Sequence, residues 1–366
     1  MTEQRSEYRG DHGAATAHRP VEPDSTVDAG GAAGEHRAGW PAGGGWLRVL
    51  RLDQFALLPA VVLAIVIGAF VNDAFLTETN IVNILRQSSE LSILVLAEAI
   101  ILIAGKFDLS LESIVGLAPA FAAWLVISAE TGGSGHDVNQ YLGLAVLLLL
   151  GAAIGAVNGA LVVYVRLNAF MTTLAMLILL RGIAIGFTSG KTLYDLPGSF
   201  TYLGTAEWVG VPVSVWLAGF LYLVAGLFLR SHRWGRAIYA VGGNAEAARA
   251  AGIRVDRVVW VVYIVGGLLA ALAGLMLTGR LASVVSNQGQ NMIFTVFAAA
   301  VIGRISLNGG KGSMVGALSG VLLLGIIANI LTLSNIEPFW ISAAFGGIIL
   351  IALIIARFTA GDVDGS

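Results

Sequence analysis

The two charges deepest inside the long apolar runs of this chain are Glu98 and Arg181, and the amides Asn158 and Asn329 also lie within such runs. A charge at the centre of a membrane helix is disfavoured by about 2.5–3.5 kcal/mol. At 1.5 Å rise per residue, Glu98 falls ~15 Å and Arg181 ~10 Å from the outer end of its run. The two depths are similar, which predicts a structural ion pair; contact with a ligand is the alternative for Arg181. Asn158 and Asn329 can each bond a ligand hydroxyl or a neighbouring helix. Asp108 and Ser110 stand at the start of the third run, where either side chain can cap a helix. Glu90 falls near the outer surface and is expected to be solvated. The chain has no cysteine, and its five histidines lie outside the apolar runs. Thiolate chemistry, disulfides, a histidine metal site and an intramembrane Ser–His dyad are therefore not expected.

The elements that carry these residues follow from composition. The 366 residues are 57% hydrophobic and 12% charged, with a mean hydropathy of +0.82. That excludes an ordinary soluble domain and indicates an all-α polytopic membrane protein. A bilayer core needs ~20 apolar residues per helix, and the sequence predicts about ten transmembrane helices, near 55–73, 88–104, 110–129, 141–165, 169–188, 212–229, 258–278, 291–304, 313–333 and 338–357. The eighth is short for a full span and the second only just long enough, which leaves either open to being tilted, broken or re-entrant and the count open by one. Residues 1–52 lack apolar periodicity and read as a disordered cytoplasmic tail, with a lipid-binding role open to Trp40, Trp46, Arg48 and Arg51. Residues 53–358 form the membrane domain and 359–366 a cytoplasmic C-terminal tail. With both termini inside, 17 of the 21 Lys and Arg residues fall on the cytoplasmic side, as the positive-inside rule requires.

The longest polar interruption is 230–257, with six arginines. It predicts a short helix: Asn244 as N-cap, Glu246 in the first turn, Gly252 in the left-handed position after the last turn. Between them, Ala245, Ala247, Ala248, Ala250 and Ala251 give a helix with almost no side chain, too short to be stable without docking.

Four stretches in order resemble the ribose-type monosaccharide permeases of ABC importers. GRAIYAVGGNAEAARAAGI resembles their cytoplasmic EAA-type loop. GKFDLSLESIVGLAP, 105–119, is similar to their GGIDLSVGS motif at Asp108, Leu109, Ser110 and Ser113, with Lys106, Phe107 and Glu112 departing from it. The segment 166–197 matches at Asn168, Phe170, Thr173, Arg181 and Gly182, and 303–340 matches at Gly309, Gly310, Lys311, Gly312, Gly316, Gly320, Asn329, Pro338 and Phe339. The resemblance spans about residue 80 to 357. It implies an ABC importer permease fold in the inner or plasma membrane, moving a monosaccharide or related polyol by alternating access. It also implies a second permease copy (the same chain or a paralogue), a cytosolic ABC ATPase and an extracytoplasmic sugar-binding protein, in contact with membrane lipid, with no nucleic acid and no cofactor. Residues Gly242, Gly243, Asn244, Glu246, Ala247, Arg249 and Gly252 are then the coupling surface. Glu98, Asp108, Ser110, Asn158, Phe170, Arg181 and Asn329 are the candidates for the passage.

Neither GKT at 190–192 nor GGKGS at 309–313 has the spacing of a P-loop, so the chain is expected to be no enzyme, with ATP hydrolysed by a partner. An ion-coupled secondary transporter is the rival reading, resting on Glu98 and Asp108, but it leaves the EAA-like loop unexplained. Gly151, Gly155 and Gly159, Gly312, Gly316 and Gly320, and Gly182 and Gly186 are each four apart, the small-xxx-small spacing of closely packed membrane helices.

Overall fold

The computed structural model describes residues 57–361; the stretch read as an N-terminal tail lies outside them. Among the described residues are thirteen α-helices: α1 Leu58–Val71, α2 Glu78–Ile103, α3 Leu111–Val126, α4 Gln140–Val163, α5 Ala169–Thr188, α6 Gly198–Thr205, α7 Val213–Ser231, α8 Arg233–Gly243, α9 Ala245–Ala250, α10 Val255–Leu281, α11 Met292–Ile302, α12 Met314–Leu333 and α13 Pro338–Gly361. A two-residue hairpin, β1 Glu207–Trp208 with β2 Val211–Pro212, is antiparallel with Trp208 opposite Val211. Every predicted run falls on a helix. Five helices, α4, α5, α7, α10 and α12, are long and apolar enough to cross a membrane. The helix α2 is long as well, but it carries Glu78, Arg86, Glu90 and Glu98. The helix α13 continues to Gly361, into the first residues read as the C-terminal tail.

The centre of the fold is α10, which packs against α4, α2, α3 and α6. The contact with α4 is made by glycine. A Cβ on Gly155 would collide with the Tyr263 carbonyl, and one on Gly267 with the Gly151 carbonyl. Such close approach suits helices in lipid, where van der Waals contact rather than water exclusion drives association. The Gly316–Gly320 pair does the same against α11, meeting Gly303 and Ala299 backbone; Gly312 lies in the loop before α12. Gly182 and Gly186 differ, with nothing within 4 Å of a built Cβ. Their face of α5 is open, and Met171, Ile178 and Leu179 on the same helix are exposed.

Helix ends follow side-chain chemistry. The side chains of Thr77, Asn139, Asn168 and Ser313 each accept a backbone N–H in the first turn of α2, α4, α5 and α12, satisfying donors that the helix leaves free.

Candidate functional site

The short helix predicted within the polar interruption forms as α9; the 11-residue α8 before it was not predicted. Asn244 caps α9, its Oδ1 accepting the Ala247 N–H at 2.9 Å. Gly252 follows the helix with φ +83°, a conformation other residues adopt only with strain. Of the six residues of α9 only Ala248 is buried. Glu246, Ala247 and Arg249 are exposed, as are Gly243, Asn244 and Gly252, while Gly242 is half-buried. Arg249 pairs with Asp256 at 3.3 Å, an exposed contact of small worth.

Gly242, near the end of α8, makes a different kind of contact. A Cβ there would collide with the Ile103 carbonyl and lie 2.6 Å from the Gly310 nitrogen. Gly310 N–H donates to that same Ile103 carbonyl at 2.9 Å. The Tyr239 hydroxyl, one turn earlier on α8, donates to the Gly312 carbonyl at 2.8 Å. The base of the exposed loop therefore sits backbone-to-backbone on the turn that ends α2 and on the 309–312 glycine loop.

That turn leads directly into the first interior cluster. Neither Asp108 nor Ser110 caps α3 with its side chain: Ser110 holds the N-cap position but makes no side-chain cap bond. Asp108 Oδ1 accepts the Ser110 N–H at 2.9 Å and the Ser110 hydroxyl at 2.6 Å, forming a local loop before the helix of the kind Asp favours. Asn158 Nδ2 on α4 donates to the Ser110 oxygen at 2.7 Å. Asp108 N–H points to Glu98 Oε1 at 3.4 Å. Glu98, Asp108, Ser110 and Asn158 are all fully buried. Tyr263 on α10 donates its hydroxyl to the Phe107 carbonyl at 2.9 Å. Phe170 stands beside this cluster rather than in it, edge-on to Phe107 with ring centroids 6.4 Å apart.

Arg181 belongs elsewhere. The expected Glu98–Arg181 pair does not form. Arg181 Nη2 meets Glu112 Oε1 at 3.1 Å, and Nη1 donates to the Gln288 carbonyl at 2.9 Å. Equal depth along two helices says nothing of which faces meet; α3, not α2, lies against α5. The other oxygen of Glu112 accepts the Ile293 N–H at 3.2 Å. It thereby serves the start of α11, whose N-cap Asn291 makes no side-chain cap bond. A carboxylate at this position also suits the helix dipole. With 11 residues, α11 is ~16 Å long, about half of a bilayer core. The segment before it carries Gln288, buried, whose Nε2 donates to the carbonyls of Val115 and Gly274 and to Thr278 Oγ1 at 3.0–3.1 Å. Val115 lies four residues before Pro119 within α3, and proline has no N–H to return to that carbonyl. Gln288 supplies the missing donor. Irregular backbone before α11 is thus held against α3 and α10 by Arg181, Glu112 and Gln288.

Asn329 lies apart from both clusters, in a reciprocal amide pair with Asn80 that joins α12 to α2, at 2.9 and 2.7 Å. Glu90, expected in water, is buried and takes Arg280 through both carboxylate oxygens. Of the seven passage candidates, four form one connected group; Phe170, Arg181 and Asn329 do not join it. Glu112, Gln288 and the Glu90–Arg280 pair went unassigned. For Glu112 a signal existed, a carboxylate where the resembled motif has glycine; for Gln288 none did.

The family profile described as "Branched-chain amino acid transport system / permease component" matches residues 80–356, three quarters of the chain. The chain belongs to this permease family. The permease is 36% identical over 308 residues to the ribose import permease protein of Escherichia coli strain K12, covering 83% of this chain and 93% of that one. It is 34% identical over 303 residues to the ribose import permease protein of Haemophilus influenzae, covering 82% and 91%. Against the L-arabinose transport system permease protein of Escherichia coli strain K12 it is 32% identical over 308 residues, covering 84% and 91%. No solved structure is a significant match to the permease. The resemblance read from four motifs is thus confirmed as membership of an ABC permease family, and the apolar helices agree with a membrane protein.

Proposed function

We propose that this permease is the membrane-spanning subunit of an ATP-driven importer for a monosaccharide or related polyol, and that loop 242–252 docks on a separate cytosolic ATPase. The observation that carries the reading is the small, exposed helix α9, capped at both ends and set between two apolar helices, α7 and α10. The sugar class comes from the relatives, named for ribose and L-arabinose import. Ten helices, α1–α5, α7 and α10–α13, cross or enter the bilayer, with both termini cytoplasmic and α11 spanning only part of it. This orientation puts loop 230–257 inside with 17 of the 21 basic residues. A second permease copy and an extracytoplasmic binding protein complete the assembly. The open Gly182–Gly186 face of α5 has the spacing that packs a second helix closely. Transport works by alternating access: ATP binding biases two arrangements of the permease through differential affinity of the ATPase dimer for them. Glu98, Asp108, Ser110 and Asn158 remain the passage candidates that the fold gathers.

The test is reconstitution in vesicles with a sugar ATPase and a sugar-binding protein as partners. Uptake of labelled ribose or arabinose should require ATP and vanish with Glu246→Arg. Uptake that proceeds on an ion gradient without ATP would favour the secondary-transporter reading instead.

A further inference from the structure

The hairpin between α6 and α7 carries apolar surface that the fold does not use. Its two-residue loop, Val209 and Gly210, joins Trp208 to Val211. Val209 is 95% exposed, Trp208 53%, and Trp216, in the first turn of α7, 50%. Both loop residues have positive φ, +55° at Val209 and +72° at Gly210. A type I′ hairpin loop requires such angles, and Asn, Asp and Gly take them readily. Valine does not, because its branched Cβ is crowded there. The residue at the tip is therefore both strained and apolar. At 95% exposure it makes almost no contact within the described residues that would account for either.

The polar groups of the hairpin are met by protein. Glu207 pairs with Arg86 of α2 at 2.6 Å. Trp208 Nε1 donates to the Tyr202 hydroxyl at 3.1 Å and Trp216 Nε1 to the Trp208 carbonyl at 3.3 Å. Left exposed are the rings of Tyr202, Trp208 and Trp216 and the Val209 side chain. Trp216 decides what this surface meets. It heads a row on α7 made of Trp216, Phe220, Leu223 and Leu227, all 50–61% exposed and spaced as one face of a helix. The opposite face, with Ala218, Tyr222 and Leu229, is buried, and Tyr222 donates its hydroxyl to the Ser92 carbonyl of α2. Because α7 is long and apolar enough to cross a membrane, the exposed row faces hydrocarbon. The hairpin is bonded to the head of that row, at the level where hydrocarbon gives way to headgroups. Trp and Tyr concentrate there, since their rings are apolar with one polar handle.

We propose that the hairpin tip, Trp208 to Gly210, inserts into the headgroup–acyl boundary of the bilayer and anchors the N-terminal end of α7 to lipid. A water-soluble partner can cover the hairpin, but not the row on α7 that continues it into the membrane. The Arg86–Glu207 pair extends the anchor to α2. The inference rests on α7 crossing the bilayer, and on neither the sugar nor the ATPase.

The chain has no cysteine, so one introduced cysteine is the only thiol that can carry a nitroxide spin label. Three variants of the full chain are reconstituted in vesicles of phosphatidylethanolamine and phosphatidylglycerol: Val209→Cys at the tip, Phe220→Cys on the row and His136→Cys in the loop between α3 and α4. All three positions are exposed, so the label displaces no packed side chain. Power saturation in electron paramagnetic resonance compares access by oxygen, which concentrates in lipid, with access by a water-soluble nickel chelate. The oxygen-to-nickel ratio at Val209→Cys should exceed that at His136→Cys several-fold and approach that at Phe220→Cys. A ratio at Val209→Cys equal to that at His136→Cys overturns the anchor. If Phe220→Cys still reads lipid in that case, α7 crosses the bilayer and only the anchor fails; if it too reads water, the span fails with it. A label at Val209→Cys screened from both reagents reports a protein partner, a second copy or a binding protein, and also overturns the proposal.

Discussion

Replacing Glu112 by Gln probes the link that holds α3, α5 and the start of α11 together. The change keeps the shape of the side chain and removes its charge. Arg181 would keep the Gln288 carbonyl at 2.9 Å but lose its counter-ion at 3.1 Å. The side chains of the pair are only 15% and 6% exposed, so the arginine is left largely desolvated. Removing one partner of a buried pair costs about 3–5 kcal/mol. Because the new amide oxygen can still accept one bond from Arg181, the loss belongs at the low end, about 3 kcal/mol. That corresponds to a fall in Tm of about 6–10 °C. Arg181→Gln should cost a comparable amount, since Glu112 would retain only the Ile293 N–H. The double variant places two neutral amides where the ion pair stood, and the two losses should overlap by about 1–3 kcal/mol. Glu98→Gln combined with Arg181→Gln should be additive, because Glu98 bonds the Asp108 backbone instead. Thermal melts of the purified variants, with uptake measured in parallel, decide the matter. Additive losses for Glu112 with Arg181, together with a coupling between Glu98 and Arg181, would refute the reasoning.

Three further outcomes are expected. Glu246→Arg and Gly252→Leu should leave the permease folded but abolish stimulation of the partner ATPase, measured as phosphate release on adding loaded binding protein; normal stimulation in both would remove the docking role of α9. Reporters fused after Phe107, Gly243 and Arg357 should read as cytoplasmic and those after Gly135 and Tyr202 as external; an external signal at Gly243 would overturn the orientation. Gly155→Leu should prevent folding, because its side chain would enter the Tyr263 backbone, whereas Gly182→Leu meets nothing within 4 Å and should fold normally. If the α5 face packs a second copy, Gly182→Leu should still lower the dimer fraction on size-exclusion chromatography, and an unchanged fraction would place that interface elsewhere.

The order of elements was legible because lipid demands long apolar runs, and each predicted run coincides with a helix. The ends of α9 were legible because Asn and Gly have strong local preferences that no tertiary contact had to supply. Partners across helices were not. Glu98 and Arg181 share a depth, but depth is one coordinate, and rotation about each helix decides which side chains meet. Glu90 was misplaced for a different reason: the apolar run begins only at 88, but α2 begins at Glu78, so Glu90 stands mid-helix with its carboxylate on Arg280 of α10. Asn80 and Asn329 are 249 residues apart, and nothing local marks them as a pair. Gln288 was invisible because its role is set by Pro119, whose missing N–H leaves a carbonyl on another helix unmet.

The contact at Gly242 decides how a displacement of the exposed loop would reach the interior. Side chains at a joint can change rotamer and absorb a small movement; backbone atoms in contact cannot. Here Gly242 lies against Gly105, Ile103 and Gly310 through backbone atoms, and the Gly310 N–H is bonded to the Ile103 carbonyl. A shift of α8 must therefore carry the end of α2 with it or break the joint. Asp108 follows that end by five residues, and its carboxylate is bonded to Ser110, which is bonded to Asn158 on α4. Five residues of chain and two short hydrogen bonds separate the base of the loop from Asn158, a contiguous path by which movement of α8 can reach that group. If α9 is held by an ATPase, the same chain of contacts runs in reverse: whatever occupies the buried group biases the position of the loop, as reciprocity between coupled sites requires.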